Sequence, residues 1–357
     1  MRTFDIFPIV FDFKQPSGTS RGVLTQKKSW FIRLIENEQM GFGECSIIQN
    51  LSPDYQSDEQ YELAICQHLQ KWVANNLDWF ELRAFPSILF GIEMALIDLA
   101  TGGKQQLFDT AFTRGEQAIR INGLIWMGTT ASMKKQLSEK LESGFRCIKM
   151  KIGAISWDEE LKLLRSLREE FKATDIEIRV DANGAFEPLN AKRILENLAE
   201  LEVHSIEQPI QPGQWDAMAA LCENSPCPIA LDEELIGVVD ENLQDQLFTH
   251  IKPQYIILKP SLHGGFSGTR KWIEKAQKSG IGWWITSALE SNLGLNAIAQ
   301  FASSYSLQLP QGLGTGNLYQ SNIPSPLILT GDLLHFDPKG SFDLSILIKN
   351  SQSNRLV

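Results

Sequence analysis

Long apolar runs are missing from the 357-residue chain. No window approaches the roughly 18 uninterrupted apolar residues of a spanning helix, so no membrane span is expected. Positive charge is in deficit: 33 Lys and Arg stand against 43 Asp and Glu, a net charge of −10, and no basic run offsets it. Nucleic acid and anionic membrane surfaces both require basic patches, so neither is an expected partner. Cysteine is sparse and odd in number. Cys45, Cys66, Cys147, Cys222 and Cys227 are scattered, and the one close pair, Cys222 and Cys227, has no neighbouring His. Reduced thiols are expected rather than disulfides or zinc ligands. His68, His204, His250, His263 and His335 share no ligand spacing, which disfavours zinc or haem. The N-terminal MRTFDIFPIVFDFKQPSG is interrupted by Asp5, Pro8 and Asp12 and lacks the continuous apolar segment of a signal peptide. A cytoplasmic location is the expectation.

What is present is an ordinary globular composition, 43% apolar and 21% charged, with enough chain for one (β/α) barrel with additions. Residues 1 to about 45 read as strands, with Gly41 and Gly43 as turn signals. From Asp58 to about Gly102 the apolar spacing is helical. This order predicts an α+β capping domain over residues 1–117. The texture then changes. INGLIW, CIKMKI, IEIRVDA, HSIEQP, PIALDE, YIILKP and GWWITSA are strand candidates separated by amphipathic helical segments. Such alternation implies a parallel sheet, and seven or eight units suggest closure into a modified (β/α)7β, TIM-like barrel over 118–319. An open doubly wound sheet is the alternative. The tail, about 320–357, is assigned in part to the cap.

The strand RCIKMKIG (146–153) poses a question, because strand parity puts Lys149 and Lys151 on one face. IEIRVDAN adds Asp181, HSIEQP adds Glu207, PIALDEE adds Asp232 and YIILKP adds Lys259, at steps of 32, 26, 25 and 27 residues from Lys149. Each step is about one strand plus one helix. A charged group therefore recurs at the carboxyl end of five consecutive strands, the face where barrel active sites sit. Any one of these is more simply a solvated strand-edge charge; five in register are not. Crowded carboxylates need raised pKa values or a counter-ion, and three carboxylates plus water suit Mg²⁺, with Mn²⁺ as a substitute. A flanking lysine whose pKa is lowered by metal and neighbouring ammonium can serve as a general base. This chemistry favours proton abstraction beside a carboxylate, through an enediolate that a divalent metal stabilises.

With these motifs in order, the sequence resembles the enolase superfamily, in its muconate-lactonizing-enzyme-like subgroup. Within it the chain resembles the o-succinylbenzoate synthases of menaquinone biosynthesis, across essentially its whole length. GTSRGVL near Ser20 and Arg21, TSALESNLGLNAIAQ from Thr286 and GLGTGNLY from Gly312 carry the synthase likeness. The resemblance implies that Lys151 is the acid/base, that Asp181, Glu207 and Asp232 bind Mg²⁺, and that Lys259 stabilises the enediolate across the ring. It implies that Lys149 and Arg179 support Lys151 and the carboxylate, and that Asn183, Arg21 and Ser287 bind the substrate or support that binding. The reaction it implies is syn-dehydration of 2-succinyl-6-hydroxy-2,4-cyclohexadiene-1-carboxylate, a small carboxylate. It further implies that Pro16–Gly22 forms a cap loop closing over the site, although an ordinary surface turn would read the same.

N-acylamino acid racemases and dipeptide epimerases are the near rivals, since Lys151 and Lys259 would also serve opposite faces of an alpha carbon. LPQGLGTGNLY carries no carboxylate to receive a substrate ammonium, which disfavours the epimerase. A Schiff-base aldolase using Lys259 leaves the carboxylates idle, and a passive metal binder leaves the lysines idle. GLGTG lacks a P-loop lysine, and no G-x-S-x-G elbow occurs. No oligomeric interface is legible in the sequence.

Overall fold

The computed structural model describes residues 1–19, 22–345 and 347. The chain opens with β1 (Arg2–Thr19), β2 (Gly22–Glu36) and β3 (Gln39–Ser46), an antiparallel sheet in the order β1-β2-β3. Helices α1 (Asp58–Val73) and α2 (Pro86–Ala100) follow. Ser57 caps α1 by accepting from Gln60 N, with Asp58 and Glu59 in the first turn facing the positive helix end. Pro86 opens α2, where its missing N–H costs nothing.

Two turn assignments need correction. Gly41 and Gly43 lie inside β3, where a Cβ would stand 2.1 Å from Ala95 O and 2.0 Å from Gly91 O. Their smallness lets α2 press directly on the sheet. The Pro16–Gly22 segment, anticipated as a loop, is the end of a long hairpin: Ser17 pairs with Leu24, Gly18 with Val23 and Thr19 with Gly22. Ser20 and Arg21 lie outside the described residues, and with them the Arg21 assignment.

Next come β4 (Ile119–Arg120), β5 (Gly123–Ile125), α3 (Thr130–Glu142), β6 (Cys147–Lys151), α4 (Trp157–Glu170), β7 (Glu177–Asp181), α5 (Pro188–Glu200) and β8 (Ser205–Glu207). The repeat continues with α6 (Trp215–Glu223), β9 (Ile229–Leu231), α7 (Glu241–Ile251), β10 (Tyr255–Leu258), α8 (Gly265–Lys278), β11 (Gly282–Ile285) and α9 (Asn292–Ala302). Strands β5 to β11 form one parallel sheet in chain order. Its two edges are joined by Gln311 and Gly312, which bridge Ile121 and Thr286. Asn122 N donates to Gln311 O at 3.0 Å and Gly312 N to Ile285 O at 2.8 Å. The sheet is therefore a curled (β/α)7β barrel rather than an open doubly wound sheet, with eight positions around its ring.

Parity works as strand geometry requires. Ile178 and Val180 are buried against the helices, while Arg179 and Asp181 point into the barrel. Beyond the barrel, Phe13 bridges Tyr319, and Gln320 N donates to Asp12 O, so the tail touches the cap. The hairpin of β12 (Leu327–Thr330) and β13 (Leu333–Phe336) pairs instead with β4. All five cysteines are free thiols. Among the described residues, no helix is long and apolar enough to cross a membrane.

Candidate active site

Register alone aligns the first three members of the ladder. Lys151 pairs with Asp181, and Asp181 with Glu207, across strands about 4.8 Å apart. Asp232 and Lys259 each follow the last residue of their strands, β9 and β10. A cavity of about 310 Å³ opens above this face. Its floor holds Lys149, Lys151, Asp181, Asn183, Glu207, Asp232, Glu233 and Lys259. The cap contributes Val23 and Leu24 from the hairpin and residues 48–51 from the connection after β3. Trp126, Trp284, Ser287, Leu289 and Thr315 stand in its walls.

Lys149 Nζ lies 2.5 Å from Glu207 Oε2 and 3.0 Å from Asp181 Oδ2. Lys151 Nζ donates to the same Asp181 Oδ2 at 2.9 Å and to Asn183 Oδ1 at 2.8 Å. Asn183, in the left-handed region at φ 45°, donates through Nδ2 to Glu233 Oε1 at 3.0 Å. Lys259 Nζ is paired with Asp232 Oδ2. The Ser287 hydroxyl is 2.7 Å from that of Thr315.

Burial works against every charge here, and neighbours decide the outcome. For Lys149 burial pulls downward, but the Asp181 and Glu207 carboxylates outweigh it and hold the ammonium above the ordinary range. Lys259 is likewise held up, against burial, by Asp232 and Glu207. Burial raises Asp181, yet the two lysines of β6 take it well below the usual carboxylate range. Asp232 is lowered too, by Lys259 working against burial. Glu207 goes the other way: burial and then the Asp181 charge push it up to about 8, while Lys149 pulls it down.

The structure gathers Lys149, Lys151, Asp181, Asn183, Glu207, Asp232, Lys259 and Ser287 around one cavity. It does not place Arg179 there. Two residues before Asp181, Arg179 lies one layer deeper, donating to Glu177 Oε1 at 2.6 Å and to Pro310 O at 2.9 Å. Its guanidinium packs 4.2 Å from the Trp284 ring centroid, so it supports the Trp284 side chain of the cavity wall rather than Lys151. Glu233 went unrecognised in the sequence although it adjoins Asp232 in LDEE, and Thr315 lies within the GLGTG run dismissed as a nucleotide motif.

Residues 1–99 match the family model "MenC, N-terminal domain", and residues 132–332 match "Enolase C-terminal domain-like". The o-succinylbenzoate synthase of Desulfotalea psychrophila is 49% identical over 352 residues, covering 90% of this chain and 95% of that protein. The crystal structure of MenC from the same organism superposes with a TM-score of 0.81 at 44% identity, covering 94% of this chain and 99% of that one. The N-succinyl Arg/Lys racemase of Bacillus cereus, at 18% identity and a TM-score of 0.83, shares the fold. That racemase and the synthases thus share one scaffold, so the fold alone does not choose between their chemistries. The chain belongs to the o-succinylbenzoate synthase family of the enolase superfamily.

Proposed function

We propose that the chain carries out its family's reaction, the loss of water from 2-succinyl-6-hydroxy-2,4-cyclohexadiene-1-carboxylate to give o-succinylbenzoate for menaquinone biosynthesis. The observation that carries this reading is the opposition of Lys151 and Lys259. They end the second and sixth of eight barrel positions, diametrically across the cavity, with Asp181, Glu207 and Asp232 on the three intervening strands.

Lys151, held by Asp181 and Asn183, takes the proton alpha to the ring carboxylate. The electron pair left behind spreads onto that carboxylate. Lys151, now an ammonium, returns the proton to the ring hydroxyl on the same face, which departs as water while the ring becomes aromatic. Lys259 faces the ring from the other side, anchored by Asp232, and its ammonium stabilises the spread charge. Lys149 fixes the carboxylates of Asp181 and Glu207. Leu24, Trp126 and Leu289 supply an apolar surround that keeps bulk water from the reacting carbon.

The carboxylates fit a hard divalent cation in one specific respect. Glu207 Oε1 and Asp232 Oδ1 are buried and have no hydrogen-bond partner. Among the described residues, no three His, Cys, Asp or Glu side chains converge as a metal set, and Lys149 and Lys259 are paired with Glu207 and Asp232. Asp181, Glu207 and Asp232 would hold Mg²⁺, the metal general to this superfamily. When bound, the ion supplies positive charge to the substrate carboxylate as negative charge develops on it.

The test is turnover of purified protein on the cyclohexadiene substrate with Mg²⁺, following appearance of the aromatic product. Formation of product, abolished by EDTA and in Lys151→Ala, supports the reading. Absence of product together with exchange of the alpha proton of an N-succinylamino acid into deuterated solvent would assign the same lysine pair to racemisation instead.

A further inference from the structure

A second cavity, of about 410 Å³, lies where the cap meets the barrel helices and takes no part in the reaction above. Trp79 and Phe80, 49% and 78% exposed, flank it with aromatic side chains left in water. Arg83 stands 5.5 Å from the Phe80 ring centroid, and Lys271 lines the cavity from α8. The one carboxyl lining the cavity is Glu93, which burial pushes up to about 7. Glu241 pairs with both cations from outside the lining. Within the lining itself the two cations Arg83 and Lys271 face one carboxyl, Glu93.

Two buried atoms in the same wall lack partners. His263 is 5% exposed, and its Nδ1 accepts from Lys259 N at 2.8 Å, so the proton of the neutral ring sits on Nε2. That Nε2–H has no acceptor in the fold, and the Gln244 Oε1 has no donor. Leaving such groups unmatched is costly, and a ligand carboxylate, which accepts, relieves the His263 Nε2–H.

We propose that this cavity is a second binding site for small aromatic carboxylates, with the ring against Trp79 and Phe80 and the carboxylate directed to Arg83 and Lys271. Its choice of ligand rests on the synthase reading, because o-succinylbenzoate, the product of that reaction, is an aromatic carboxylate. The site is not isolated from the chemistry. Leu262 and His263, both in its wall, donate their backbone N–H groups to Lys259 O at 2.8 and 3.0 Å. Occupancy therefore bears on the turn that carries Lys259.

The experiment pairs calorimetric titration of the full chain, in Mg²⁺, with steady-state product inhibition. Two molecules of o-succinylbenzoate per chain, and a noncompetitive component to the inhibition, are expected. Val239→Trp fills the cavity from a rim position 43% exposed and touches nothing in the catalytic wall. It is expected to lose one binding event and the noncompetitive component while basal turnover is unchanged. Arg83→Gln combined with Lys271→Gln is expected to weaken the same event by about tenfold, the loss of a charge-assisted contact. One product molecule per wild-type chain overturns the inference, as do two events that neither variant alters. Turnover is read separately. Normal turnover with a single product site refutes this inference alone. Absent turnover refutes the synthase reading, and benzoate titrated into wild type and Val239→Trp then decides the cavity by itself.

Discussion

Lys151 stands opposite Asp181 in the register of two neighbouring parallel strands, with its Nζ 2.9 Å from Asp181 Oδ2, and the same oxygen lies 3.0 Å from Lys149 Nζ. One carboxylate oxygen thus orients both ammonium groups of β6. Because Asp181 keeps Lys149 when Lys151 is removed, Lys151→Ala is expected to fold normally. Its kcat should fall by about 10²- to 10⁴-fold, the usual span for a general acid/base, with an unfolding midpoint close to wild type. Retention of more than about a tenth of wild-type kcat would remove Lys151 from the base role.

Asn183 touches Lys151 through Oδ1 and Glu233 through Nδ2, so it is a positioning residue in the strict sense. Asn183→Ala is expected to lower kcat by about tenfold, the worth of one hydrogen bond to a charged group, with KM nearly unchanged. Asn183→Asp restores the acceptor toward Lys151 but sets a carboxylate against Glu233. Its kcat should therefore recover most fully at low pH, where one of the two carboxyls is protonated. Equal losses in kcat and KM for the Ala variant, with no pH-dependent recovery in the Asp variant, would reduce Asn183 to a structural residue.

Glu207 Oε1 and Asp232 Oδ1, buried without partners, lead to a prediction that does not need turnover. A ligand that binds only the native state at 100 times its Kd stabilises it by about 2.7 kcal/mol. Mg²⁺ is expected to raise the wild-type Tm, EDTA to reverse this, and Asp232→Asn to lose most of the rise. An equal rise in both proteins would remove Asp232 from the ligand set.

The charged ladder was readable because a (β/α) barrel spends one strand and one helix per repeat, so similar spacing delivers side chains to one face. Parity placed Arg179 on the interior side correctly but carried no side-chain direction: its register partner Lys149 reaches Asp181 and Glu207, whereas Arg179 turns to Glu177 and Pro310 against the Trp284 ring. Gly41 and Gly43 read as turns because glycine permits turns and close packing alike, and only α2 at contact distance distinguishes the two. The cap–barrel connections were invisible for a different reason. Glu44 accepts from Ser291 N at 2.9 Å and from Gly294 N at 3.0 Å across separations of 247 and 250 residues, and no local pattern records such a partner.

That connection has an energetic consequence. Lys27, 6% exposed, is electrostatically held by Glu44 and Glu290, while Glu44 also accepts from Ser29 Oγ at 2.8 Å. Glu44→Ala leaves Lys27 buried with one carboxylate fewer and frees the first turn of α9. A loss of about 2 to 3 kcal/mol is expected from urea unfolding, the cost of leaving the buried Ser291 and Gly294 N–H groups without their acceptor. Glu44→Gln, which keeps an acceptor for the helix end but not the charge, should lose less. A change below about 0.5 kcal/mol in both variants, the range of ordinary surface substitutions, would show that Glu44 does not tie cap to barrel.

Asp98 supplies a pH dependence whose sign follows from its surroundings. It is fully buried on α2, and burial pushes its carboxyl up to about 6, although Phe42 N at 2.9 Å and Gln105 N at 2.6 Å favour the ionised form. In the unfolded chain the group titrates near 3.9. Between these values the native state holds a proton that the unfolded state has released, so stability from this group is full below about pH 4 and is lost as pH rises through about 6. Asp98→Asn cannot titrate, and its own stability carries no such slope. The free-energy difference between wild type and Asp98→Asn, measured by urea unfolding at pH 4.5 and 7, should therefore move against wild type as pH rises, at a limiting rate of about 1.4 kcal/mol per pH unit. A difference that moves toward wild type instead would mean that the Phe42 and Gln105 donors outweigh burial and hold Asp98 ionised.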